Sequence, residues 1–199
     1  NNIAHQWRQP LSIITTITSG IKLQRKFNAL DNESIDTSMG KINNTVLHLS
    51  RTIDDFRDFF NPNKSKMNFY LNDTIAKTLK LLEASILSNN IVVLKRIEDI
   101  SLFGLENELI QVFINILNNA RDELIKKELI DKLILIDVFK KDDVLEIHIK
   151  DNAGGIPKNI INDIFDSHFT TKQDTNGTGI GLYMSKMIIN ELMDGAIKA

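Results

Sequence analysis

The chain contains no cysteine, which removes disulfides, thiol catalysis and cysteine-ligated zinc and fits a reducing compartment. It also lacks an excess of either charge: 24 Lys and Arg stand against 26 Asp and Glu, a formal net charge of −2. No global electrostatic case for nucleic acid or an anionic membrane exists on that balance. No apolar run approaches the length of a membrane span, and no internal repeat or low-complexity tract is visible. Glycine strings are present, but none leads into the Lys-Ser/Thr of a Walker loop, and the second has glycine at alternate positions instead of dinucleotide spacing. What remains is 199 residues, 42% hydrophobic and 25% charged, a composition able to bury a proper core in one or two domains. The sequence opens without Met and inside a helical pattern, so a fragment of a longer protein is expected.

Residues 1–27 read as helix, with Trp7, Leu11, Ile14, Thr18 and Ile21 spaced by fours and threes, the narrow stripe of a coiled-coil seam. Pro10 lies inside it and predicts a kink, because it removes one backbone bond and crowds the preceding turn. Asn28–Asn32 reads as a loop, and Glu33 or Ser34 can start a second helix. There Met39, Ile42, Val46, Leu49, Ile53, Phe56 and Phe60 alternate threes and fours without a break. Two such helices make an antiparallel hairpin that cannot bury both seams by itself. Dimerisation into a four-helix bundle is the economical solution. Asn61–Lys66 then breaks the pattern, giving an expected division into a hairpin at 1–62, a linker at 63–66 and a second domain at 67–199.

The second domain alternates helices and strands. Strands are expected at Asn68–Leu71, Ile91–Ile97, Lys132–Phe139 and Val144–Lys150, helices at Asn72–Ser88, at 107–127 and at 181–193, and a last strand beginning at Ala196-Ile197. Lys140-Lys141-Asp142-Asp143 reads as a hairpin turn. The fold class is therefore α+β: a helical hairpin followed by an α/β sandwich with helices on one face of a mixed sheet.

Two glycine strings stand out in that domain. Asp151-Asn152-Ala153-Gly154-Gly155-Ile156-Pro157 follows a half-buried strand and delivers an acid to a turn, and Gly177-Thr178-Gly179-Ile180-Gly181-Leu182 opens an apolar helix. A glycine string at a helix start exposes backbone N–H groups and the positive end of the dipole, a place for phosphate; an acid at one end and a phosphate nest at the other suggest a nucleotide. Asn115 and Asn119 sit four apart on one helical face among apolar neighbours, where Asn is costly, and their oxygens can reach one Mg²⁺ and its phosphates. Asn118 reads as helix-surface polarity, while Asp122 and Glu123 add negative charge nearby. Between the strings, Phe165 and Phe169 read as hydrophobic anchors and Lys172 as either a phosphate partner or a solvated loop lysine. In the first helix His5 is either a surface histidine or a neutral imidazole nucleophile; Gln6 adjoins it, and Gln9 is four residues on, able to orient an imidazole or a water but not to take a proton.

Taken together, these segments resemble the transmitter region of bacterial two-component sensor histidine kinases, over nearly the whole chain. Ala4–Leu11 is similar to the family's H box, Phe113–Ala120 to its N box, Asp151–Ile156 to its first glycine box, Phe165–Lys172 to its F box and Gly177–Leu182 to its second glycine box. The resemblance implies a dimerisation and histidine-phosphotransfer hairpin ahead of a Bergerat-type ATP-binding domain. It makes Asp151 the acceptor of the adenine amino group, with Ala153, Gly155 and Ile156 lining that pocket. Asn119 becomes the Mg²⁺ ligand with Asn115 and Asp122 near the phosphates, and Lys172, Gly177, Thr178, Gly179, Gly181 and Leu182 the phosphate nest. His5 becomes the phosphoacceptor, and the implied partners are a second copy of the chain and the receiver aspartate of a response regulator. The implied setting is the cytoplasmic portion of a membrane-anchored sensor whose sensor domain lies outside this chain.

Three positions depart from the family pattern. Gln6 stands where an acid usually follows the histidine, which opens an alternative reading: a kinase-weak transmitter that binds ATP and acts mainly as regulator phosphatase or docking module. Gln9 replaces the Thr or Asn that places the dephosphorylating water. Ala153 replaces a glycine of the first glycine box. A further alternative is an ATPase like gyrase and the heat-shock chaperones, which share the Asn and glycine boxes but have no need of a His-bearing coiled coil.

Overall fold

The computed structural model describes residues 2–59, 64–167, 169–171 and 179–199. They fall into two compact units, one within Asn1–Pro62 and Ser167–Ile180, the other within Asn63–Asp166 and Gly181–Ala199.

The first unit is built on two long helices in contact, α1 (Asn2–Lys26) and α2 (Asn32–Phe59). Pro10 lies within α1. The threonines of α1 are tolerated because Thr15, Thr16 and Thr18 donate their hydroxyls to the carbonyls of Leu11, Ser12 and Ile14 four residues back, at 2.8, 2.9 and 3.0 Å. The helix ends on Asn28, left-handed at φ 52°, with the Ala29 N–H donating to the Gln24 carbonyl at 2.9 Å; this bond closes the last turn over its orphan carbonyls. Asp31 starts α2 by accepting the Ser34 N–H at 2.6 Å, a side-chain N-cap. The helix thus starts at Asn32, one or two residues before the expected Glu33 or Ser34, because Asp31 supplies the cap. Ile14, Thr18, Ile21, Ile42 and Leu49 are half-buried on the seam, while Leu11, Met39, Val46 and Ile53 remain exposed.

The second unit carries β1 (Met67–Tyr70), α3 (Leu71–Ser88), β2 (Ile91–Ile97), β3 (Ser101–Gly104), α4 (Glu106–Lys126), β4 (Lys132–Lys141), β5 (Val144–Asp151) and α5 (Gly181–Met187), whose end widens into a π-helical turn at Ile188–Leu192. The strands form two sheets. β2 pairs in parallel with β4, which pairs antiparallel with β5; β1 pairs antiparallel with β3, Met67 opposite Gly104. Strand β4 alternates as a pleat requires: Ile134, Ile136 and Val138 are 0–1% exposed, and Leu135, Asp137 and Phe139 face the other way. Helix α4 presents Leu109, Val112, Phe113, Leu117, Ala120 and Leu124 as one buried stripe. All but Val112 join Leu71 and Ile75 of α3 and the inward face of β4 in a single core, so the helices lie over one face of a mixed sheet.

The β4–β5 hairpin is tighter than expected. Strand pairing runs to Lys141 opposite Val144, leaving only Asp142 and Asp143 in the turn, both at positive φ (48° and 66°). That is the type I′ geometry whose twist matches the strands. One strand was not expected, and one expected strand is absent. Ser101–Gly104 is a strand with no alternating pattern to announce it, recruited by pairing with β1. Ala196-Ile197 does not begin a strand, since residues 195–199 have no regular structure and no strand pairs with them among the described residues.

Candidate functional site

Strand β5 ends on Asp151, which is solvent-exposed. Its Oδ1 accepts the Ala153 N–H at 2.9 Å, an Asx turn that starts the reversal, and Oδ2 has no partner among the described residues. The next residue fixes the turn to the sheet. The Asn152 N–H donates to the Leu133 carbonyl at 3.3 Å, the Leu133 N–H to Asn152 Oδ1 at 2.9 Å, and Asn152 Nδ2 to the Asp131 carbonyl at 2.7 Å. A side chain thereby adds further rungs where the backbone ladder stops. Ala153 packs its methyl against the core, whereas Gly154 and Gly155 take φ 98° and 79° with open space where a Cβ would stand. Glycine is needed there for the left-handed backbone, not for room. Ile156 is 44% exposed.

Helix α4 contacts both β5 and α5. Asn115 Nδ2 donates to the Gly181 carbonyl at 3.1 Å and lies 3.4 Å from Ser185 Oγ. A carbonyl only accepts, so the amide nitrogen must face Gly181, and Oδ1 is left without a protein partner among the described residues. Asn119 and Asp122 follow on the same face, half-buried, each with a partner. Arg121, half-buried itself, directs Nε and Nη2 to Asp122 Oδ1 at 2.9 and 2.6 Å and Nη1 to Asn118 Oδ1 at 2.7 Å and Ser85 Oγ of α3 at 3.0 Å. One guanidinium thus ties α3 to α4 and matches the charge of Asp122, and Asn118 has a definite partner where surface polarity was expected.

The structure brings Asn115 and Gly181 into contact and places Leu182 half-buried one residue on. Gly179 belongs with the other unit and has φ 63°. Lys172, Gly177 and Thr178 lie outside the described residues, as do the side chains of His5, Gln6 and Gln9, whose backbone is in α1. Sequence reasoning missed Asn152, Arg121 and Ser185. Only the last had a local signal, a serine four residues after a glycine, able to bond back to its carbonyl.

The oxygens present suit a hard divalent cation shared with phosphates. Asn115 Oδ1 is unpartnered, and no group of three or more His, Cys, Asp or Glu gathers among the described residues. Such a site would rely on substrate oxygens and water, as Mg²⁺ sites on nucleotides do.

Several known proteins resemble this chain in sequence and fold. Residues 104–199 match the family model described as histidine kinase-, DNA gyrase B-, and HSP90-like ATPase. The two-component sensor PprA of Pseudomonas aeruginosa is 27% identical over 100% of this chain and 22% of its own length. Sporulation kinase A of Bacillus subtilis is 29% identical over 94% of this chain and 29% of its own. The chain therefore spans less than a third of these relatives. The catalytic domain of histidine kinase ThkA superposes with a TM-score of 0.57 at 27% identity, covering 64% of this chain and 82% of that one. The structure of ThkA in complex with response regulator protein TrrA superposes with 0.62 at 23% identity, over 96% of this chain and 53% of that one, a likeness of fold. No described helix is long and apolar enough to cross a membrane. Residues 104–199 thus match the histidine kinase-, DNA gyrase B- and HSP90-like ATPase model, and the chain is a homologue of sensor histidine kinases.

Proposed function

We propose that the chain is the catalytic core of a sensor histidine kinase: it binds ATP, phosphorylates His5 and passes the phosphoryl group to an aspartate of a response regulator. The observation that carries the reading is the match to two-component sensors along the whole chain, His5 segment included, together with an acid-bearing glycine turn at the end of β5. The exposed Asp151 carboxylate, held by the Ala153 N–H, would accept a hydrogen bond from the adenine amino group. Asn115 and Asn119 would hold Mg²⁺, which supplies charge neutralisation to the phosphates when bound. A ring nitrogen of His5 attacks the γ-phosphorus, the bond to the bridging oxygen breaks, ADP leaves, and the ring proton passes to solvent; little else is asked of the protein than positioning and electrostatics.

The exposed seam residues Leu11, Met39, Val46 and Ile53 support an antiparallel hairpin that pairs with a second copy in a four-helix bundle. A second reading is favoured by Gln6: with no acid beside His5 to take its proton, the chain binds ATP but works mainly as regulator phosphatase through Gln9, or as a docking module. Alignment with sensor kinases through α1 and α2 speaks against a gyrase-like ATPase. The test is incubation with γ-labelled ATP and Mg²⁺, assaying acid-labile, base-stable protein phosphate. Label is expected in the unmutated chain, absent in His5→Ala and reduced by about tenfold or more in Asp151→Asn, which loses a hydrogen bond to a charged group. ATP binding without label selects the second reading, and no ATP binding sinks both.

A further inference from the structure

We propose that Ser185 is a positioning residue for Asn115, holding its amide so that Oδ1 alone is presented to a metal–nucleotide complex. The inference rests on the ATP-binding reading and deepens it. Ser185 is the polar residue of α5 that is fully buried, at 0% exposure, where a hydroxyl is costly unless it is bonded. It donates to the Gly181 carbonyl at 2.8 Å. Its lone pairs face the Asn115 amide nitrogen at 3.4 Å, while the same nitrogen donates to Gly181 at 3.1 Å. The three groups close a triangle in which each amide hydrogen of Asn115 has a separate acceptor.

The triangle sets a direction. Turning the carboxamide over would place Oδ1 against the Gly181 oxygen, with no hydrogen between them, and would leave the Ser185 oxygen facing another oxygen unless its own hydrogen moved off Gly181. The bonded arrangement excludes that state and fixes which atom of Asn115 faces away from α5. The backbone of the last glycine in the second string takes part directly: a Cβ on Gly181 would sit 3.5 Å from Asn115 Cγ. The helix that follows the glycine string and the asparagine of α4 are therefore coupled through one buried hydroxyl.

The expected consequence is selective. Loss of the Ser185 hydroxyl frees one amide hydrogen and leaves the Gly181 carbonyl as the remaining hold on the carboxamide, so Oδ1 is less firmly aimed and the part of nucleotide affinity that depends on Mg²⁺ falls while the metal-independent part stays. Calorimetric titration of ATP into the unmutated chain and Ser185→Ala, each with Mg²⁺ and with EDTA, reads both parts. The gain in affinity conferred by Mg²⁺ is expected to shrink about 3- to 10-fold in Ser185→Ala, with the EDTA affinity unchanged. Thr78→Ala removes another fully buried hydroxyl, bonded to the Thr74 carbonyl at 2.9 Å, and is expected to lower stability without touching the Mg²⁺ gain. In the nucleotide-free protein, the Asn115 side-chain amide resonances are expected to shift and exchange faster with solvent in Ser185→Ala. Should that variant not fold, Ser185→Cys, of similar volume and a weaker donor, is expected to show the same losses at smaller size. An undiminished Mg²⁺ gain, or a loss equal to that of Thr78→Ala, overturns the role of Ser185. Absence of ATP binding by the unmutated chain overturns the nucleotide reading itself, and the amide resonances still report whether the triangle exists.

Discussion

The two units bury their apolar residues to very different degrees. In the second, Leu124, Ile134 and Leu71 are 0% exposed and enclosed by two helices and a sheet of the same chain. In the first, residues of equal hydrophobicity stand open on the seam, Met39 at 55% and Leu11 at 51%. An α/β layer closes its own core, whereas two helices have only one mutual face and leave the rest of each stripe in water. The contrast separates a unit that encloses its apolar residues from one that leaves many of them open.

The strongest break of that contrast is Ile136→Ala in the centre of β4. Deleting a side chain that is 1% exposed is expected to cost about 2–5 kcal/mol, seen as a lowered urea midpoint with ATP binding lost in the same transition. Val46→Glu on α2 asks the opposite question. If a second copy covers the seam, burying an unpaired carboxylate there is expected to weaken dimerisation by at least about tenfold, read by sedimentation equilibrium, with the unfolding of the α/β unit unmoved. A dimer indifferent to the substitution places the second copy elsewhere.

The smallest expected effect sharpens the comparison at the start of α2. The Ser34 N–H, more than its side chain, draws the Asp31 carboxyl below its ordinary value of 3.8. The folded state then binds fewer protons than the unfolded one, so the cap contributes fully above 3.8 and fades as the pH falls through the lower folded value. Asp31→Ala is expected to lower the melting temperature slightly at neutral pH and by less as the pH falls below 3.8, by circular dichroism on both sides of that value.

How far the sequence revealed this molecule follows from where its signals are written. Strands β2, β4 and β5 and helices α3 and α4 repeat with periods of 2 and 3.6, and any element that buries one face must write that period into consecutive residues. Strand β3 carries no such pattern because its four residues are held by pairing with β1, a contact between distant segments. Ala196-Ile197 illustrates the reverse: two apolar residues suggest a strand, but without a neighbour to bond they form none here. At the site, Asp151 and Asn115 were legible because a residue type stood out against its surroundings. Arg121 and Ser185 were not, since beyond their local bonds they reach Ser85, 36 positions from Arg121, and Asn115, 70 positions from Ser185, which no linear pattern encodes.

The bonds of Asn152 to Asp131 and Leu133 carry a lesson for anyone altering this protein. They anchor the aspartate to the sheet and hand the remainder of the turn, from Gly154 onward, no share of that task. Insertions or grafts after Gly155 are therefore expected to leave Asp151 in register, whereas exchanging Asn152 unships it. Position 152 is the boundary that a loop transplant has to respect.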